Sequence, residues 1–173
     1  MNARAKSALV LVAFLAINFG VAALGSIATI SQVDGWYADA EKAFWSPPNE
    51  LFGPAWTVLY TLMAVAAWLV WREPDRDGSS LTRADVRRPL RLYVIQLVLN
   101  AVWTPVFFGL YPFIGVAALW LAFAIIVAMD VLVLLTMIAF WRVRRAAAVL
   151  LIPYWAWILF ATTLNVAIAA LQT

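Results

Sequence analysis

The chain has 173 residues, 66% of them hydrophobic and 12% charged, with a net charge of +3 and neither Cys nor His. That composition belongs in a bilayer, and the missing thiols and imidazoles exclude disulfides, thiol or imidazole catalysis and the common zinc, haem-iron and iron–sulfur ligand sets. The basic excess sits in short segments between apolar runs, where it speaks to topology and anionic lipid rather than to nucleic acid.

A bilayer core takes about 20 apolar residues per helix. Runs of that length at 8–30, 52–71, 90–110, 113–140 and 146–171 predict an all-α integral membrane bundle of five transmembrane helices, one domain over 1–173. The first run follows Arg4 and Lys6 but is longer than a signal-peptide core, so it reads as a retained span.

A loop at 31–51 comes next. It leads into FWSPPNELFGPAW at 44–56, where two Trp, three Pro and two Phe fall within thirteen residues. Pro47 and Pro48 stop a helix and hold the loop extended. Two readings fit: a lid that carries Trp36, Tyr37, Phe44 and Trp45 back over the bundle mouth, or a belt anchoring its rings among lipid headgroups. Pro54 suits the first turn of the second span.

That second span carries Phe52, Trp56, Tyr60 and Met63 at spacings that stack along one helix face. After it, the polar segment 72–89 reads as a solvated linker with no soluble domain in it. The third span repeats the stripe with Gln96, Asn100, Trp103 and Phe107, and the turn at Tyr111 and Pro112 does no more than reverse the chain. The fourth contains Asp130, an ionisable group at membrane depth that reads either as a proton carrier or as an acid paired against another helix. The fifth carries Tyr154, Trp157, Ala161 and Asn165, again on one face. Pro105 and Pro153 each predict a kink, which fits neighbouring helices together or widens a cavity.

Lys and Arg set the orientation. Arg4 and Lys6, the six Arg of the 72–91 region, and Arg142, Arg144 and Arg145 all fall on one side, against Lys42 alone on the other. The positive-inside rule therefore places the N-terminus in the cytoplasm, the 31–51 loop and the C-terminus outside, and the 72–89 linker in the cytoplasm. Trp71 and Trp141, each next to an Arg, fit the cytoplasmic interface.

Amides in a bilayer are costly unless they face a cavity or another helix, so the three stripes are expected to converge inside the bundle. One outcome is plain packing, with Gln96 and Asn100 bonding across helices for about 0.6 kcal/mol each. The other is a pocket for a flat, mostly apolar ligand, opening toward the 31–51 loop.

WYADAEKAFWSPPNELFGPAWTVLY, QLVLNAVWTPVFFG and PYWAWILFATTLN, in that order and on those spans, resemble the tryptophan-rich sensory protein (TspO/MBR) family, whose animal members are called translocator protein or peripheral-type benzodiazepine receptor. The resemblance covers roughly 20–165. It implies a five-helix membrane protein, often a homodimer, that binds porphyrins such as protoporphyrin IX and haem and, in some members, sterols and synthetic ligands. Carried over by motif, Trp56, Asn100, Trp103, Trp157 and Ala161 correspond to the pocket, Trp36 and Trp45 to its capping loop, and Ser26 to a small position on the first helix. Phe52, Tyr60 and Tyr154 join them as candidate ligand-binding residues from the stripes. The loop reads Lys42-Ala43-Phe44-Trp45 where the family has Lys-Pro-x-Trp, and the ending VAIAALQT lacks the Tyr and basic residue of the animal sterol motif.

The expectation is a sensor or regulator in a membrane, by analogy the bacterial cytoplasmic membrane, that binds porphyrin and affects porphyrin metabolism or stress responses. No catalytic residue, metal site or required cofactor is assigned. Its partners are porphyrin or another flat hydrophobic molecule, membrane lipid and a second copy of the chain. The alternatives are a porphyrin or lipid translocator and a light-dependent porphyrin-degrading enzyme with Trp as electron donor.

Overall fold

A computed structural model describes residues 2–173. Five helical segments are long and apolar enough to cross a membrane, and the chain is an integral membrane protein. α1 (Ala3–Val33) is capped by Asn2, whose Oδ1 accepts from the Ala5 N–H at 2.8 Å. Its 31 residues make a rod of about 46 Å at 1.5 Å per residue, more than the ~30 Å hydrocarbon core requires. Only Asn18 along it is buried, tied to the Tyr93 hydroxyl and the Phe14 carbonyl. Most of α1 therefore presents its side chains outward.

The loop forms a short α2 (Trp36–Asp39), runs extended past Pro48 and re-enters through a 3₁₀ turn (Asn49–Leu51) into α3 (Phe52–Arg72). Small and flexible residues on α3, including Met63, Ala64, Ala66 and Ala67, are fully buried. They let neighbouring helices approach closely, which matters in a bilayer where dispersion rather than water exclusion drives helix packing.

α4 (Arg83–Thr104) begins inside the segment expected to be linker. Its cause is a capping box, in which the Thr82 N–H donates to Asp85 Oδ2 at 2.8 Å. At Pro105 the helix widens to a π turn (Pro105–Gly109), closed by Leu110 N–H to the Pro105 carbonyl at 3.0 Å. The wider turn follows directly on the proline, which has no N–H to continue the α-helical ladder. The reversal at Tyr111 and Pro112 is a short α5 (Tyr111–Ile114) ending at Gly115, whose φ of 59° suits glycine.

α6 (Val116–Val143) is an uninterrupted apolar span. The fifth span is divided: Arg144 is extended, α7 (Arg145–Leu150) follows, and a turn at Leu151 leads into α8 (Ile152–Leu171). Pro153 lies in the first turn of α8, two residues after the turn at Leu151, which is the interruption expected of a proline within this span.

The arginine-rich end is held by charge. Glu73 is buried and receives Arg76 Nε at 2.7 Å and Arg144 Nη1 at 2.9 Å, linking the end of α3 to the α6–α7 break. Arg83 pairs with Asp75 and donates to the Trp71 carbonyl at 2.7 Å. Arg72, Arg83 and Arg145 lie over the rings of Trp68, Trp71 and Trp141.

Candidate functional site: an aromatic cavity at the loop end

At the opposite end, α1, α3, the π turn and α8 diverge around a cavity of about 600 Å³. Its volume lies within the range of small-molecule sites, roughly 300–1,000 Å³. α3 brings Phe52, Trp56 and Tyr60 to one wall, and Trp56 stacks on Tyr60 with centroids 5.2 Å apart. From α4 and the π turn, Trp103 stacks on Phe107 at 5.1 Å. α8 supplies Trp157 and Ala161, with Trp157 edge-on to Phe52 at 5.8 Å. Stacking of this kind adds about 0.5–1.5 kcal/mol per pair beyond area and fixes ring orientation.

α1 meets these walls through small residues as well as Phe19, Ile30 and Val33. Gly25 and Ser26 line the cavity, and a Cβ placed on Gly25 would stand 3.5 Å from Thr104 Oγ1, in ordinary contact. The side chains at the cavity's rim are more polar: Ser26, Thr29, Asp34, Asn49 and Thr57.

Of the candidate residues, Ser26, Phe52, Trp56, Tyr60, Trp103, Trp157 and Ala161 come together on this one surface. Asn100 and Tyr154 do not line it. Both are buried behind Tyr60, whose hydroxyl donates to Asn100 Oδ1 at 2.5 Å; Asn100 Nδ2 donates to the Tyr154 hydroxyl at 3.3 Å, and that hydroxyl to Gln96 Oε1 at 2.8 Å. The amide expected to orient a ligand thus spends both its polar atoms on tyrosines, and its effect on the cavity runs through Tyr60.

The loop tryptophans also lie off the cavity. Trp36 stacks on Tyr111 at 3.8 Å and donates from Nε1 to the Phe108 carbonyl at 3.0 Å, pinning α2 to the π turn. Trp45 is 42% exposed and packs edge-on against Phe44, which is 95% exposed. From the loop region it is Asp34, Tyr37 and Asn49 that reach the wall. Burial pushes the Tyr37 hydroxyl above its ordinary range, so it stays protonated.

Asn165 is a cavity residue that the candidate set omitted, although it stood at the end of the α8 stripe. Its Oδ1 accepts from Trp103 Nε1 at 3.1 Å and its Nδ2 donates to the Leu119 carbonyl at 3.0 Å. Trp157 Nε1, by contrast, is buried with no partner among the described residues. Asp130 faces α8 away from the cavity, accepting from Thr162 Oγ1 at 2.8 Å on its carboxylate and from Trp155 Nε1 at 3.2 Å on its carbonyl. That is the helix-contact reading of the acid.

A profile of the TspO/MBR family matches residues 12–171. The chain belongs to this family. Among curated relatives, the tryptophan-rich protein TspO of Archaeoglobus fulgidus is 39% identical over 163 residues, 94% of either chain. The tryptophan-rich sensory protein of Cereibacter sphaeroides is 37% identical over 148 residues, 84% of each. The human translocator protein is 39% identical over 135 residues, 75% of this chain and 70% of that one.

In this TspO/MBR protein the cavity offers stacking faces and an open rim, with Asp34 as its one charged lining side chain. Among the described residues no cluster of three or more acidic side chains is placed to hold a metal ion. What the arrangement can do is bind a flat apolar molecule between rings and orient it by its edge.

Proposed function

We propose that this membrane protein binds porphyrins, protoporphyrin IX or haem, in the aromatic cavity, and that it acts as a sensor or buffer of tetrapyrroles that influences their metabolism or a stress response. The observation that supports this reading most is the pair of stacks, Trp56 on Tyr60 and Trp103 on Phe107, that line one cavity together with Trp157. A planar macrocycle gains area from such rings without needing an axial ligand. Orientation follows the positive-inside argument: the cavity end is the outer end, and the arginine-rich end faces the cytoplasm.

The test is a titration of detergent-purified protein with protoporphyrin IX in the dark, read by the porphyrin absorption band, beside Trp56→Leu and Trp157→Leu. Saturable binding at one site per chain, weakened at least tenfold by each variant, supports the reading. Partitioning that does not saturate and is indifferent to both variants would overturn it.

A further inference from the structure

The cavity wall contains a single carboxylate. Asp34, which ends α1, is the one acidic or basic side chain on the cavity's surface, and among the described residues its carboxylate has neither an ion pair nor a hydrogen bond. The surrounding loop adds Asp39, Glu41 and Glu50. The one base there, Lys42, does not pair with Asp34: its ammonium donates to the Ala38 and Ala40 carbonyls at 3.2 and 3.3 Å and lies 4.8 Å from the centre of the Tyr37 ring. Tyr37, which lines the cavity with Asp34, thus already has a cation against its ring, and Lys42 is not itself on the cavity's surface. Asp34 is exposed at the cavity mouth, so its carboxylate acts on a ligand there through water, favouring positive and disfavouring negative charge modestly.

We infer that Asp34 sets the charge preference of the cavity: it favours flat apolar ligands whose rim-facing edge is uncharged or carries one cationic group, and it penalises a carboxylate at that edge. This rests on the ligand reading given above and refines it, since free porphyrin diacids would then bind less tightly than their esters.

The experiment compares three ligands in non-ionic micelles, protoporphyrin IX, its dimethyl ester and a mono-amine derivative of the ester, against the unaltered protein, Asp34→Asn and Glu50→Gln. Asp34→Asn is expected to tighten the diacid about two- to threefold, weaken the amine by a similar factor and leave the ester unchanged, as a solvent-exposed unit charge several ångströms away does. Raising the salt should shrink both differences, and Glu50→Gln, which is off the cavity wall, should produce neither. Unchanged ester binding shows that the variant is folded. Equal shifts for all three ligands, or none, would overturn the role of Asp34. If the ester itself fails to bind saturably, it is the ligand reading of the cavity that falls instead.

Discussion

The Trp103 indole donates to Asn165 at 3.1 Å, and Asn165 in turn donates to the Leu119 carbonyl at 3.0 Å, so one amide joins α4, α6 and α8 at the cavity wall. Replacing it with Leu leaves an indole N–H and a carbonyl without their partner in a low-dielectric setting. Asn165→Leu should cost about 1–2 kcal/mol of stability, seen as a lower midpoint in detergent unfolding, with a red shift in Trp emission as Trp103 loses its anchor. An unshifted midpoint would show that the bond contributes nothing.

Asn100 acts on the cavity through Tyr60, and the two should therefore behave as one unit. Tyr60→Phe and Asn100→Ala are each expected to weaken porphyrin binding about three- to tenfold, while the double variant should be little worse than either single one. Full additivity would mean that Asn100 touches the ligand directly, against its buried position at 2.5 Å from the Tyr60 hydroxyl.

The approach of α1 to α4 is open to a covalent check, because the chain has no native Cys. A Cβ on Gly25 would stand 3.8 Å from the Thr104 Cβ, the mean separation of about 3.8 Å found across disulfides. The pair Gly25→Cys and Thr104→Cys should cross-link on mild oxidation, giving quantitative loss of thiol labelling. Persistent free thiols would place α1 farther from α4 than the structure does.

Glu73 closes the arginine-rich end by accepting from Arg76 and Arg144 while buried. Charge-assisted bonds of this kind are worth about 1.5–3 kcal/mol to stability, so Glu73→Gln should lower the unfolding midpoint by a comparable amount. Porphyrin binding at the far end should stay intact. A variant that lost binding and kept its stability would contradict this division between the two ends.

Much of the fold is legible in the sequence because a bilayer imposes so few solutions: an apolar run of sufficient length must satisfy its own backbone, and it does so as a helix. The five spans emerge with their ends shifted by a few residues, except at α4, which starts at Arg83 rather than near residue 90. Hydropathy discounts arginine-bearing turns, whereas the Thr82–Asp85 box that begins the helix is a local polar signal. Pro153 is legible for a different reason: a proline within an apolar span interrupts the helix just before itself, and the turn at Leu151 is where it does so.

Helical periodicity alone assigns Trp56, Tyr60, Trp103 and Trp157 to common faces, since side-chain direction repeats with the turn of each helix. Composition alone determines the membrane setting and the lack of His and Cys chemistry. Only the tertiary structure decides how those faces are spent, because rotation and depth of one helix against another set which polar atoms meet. On that level Asn100 and Tyr154 satisfy each other behind the wall, Trp36 docks on Tyr111, Trp45 stays outside, and Asn165 and Asp34 reach the cavity. A polar group in a bundle takes whatever partner packing brings within about 3 Å, and no spacing along one chain segment names that partner.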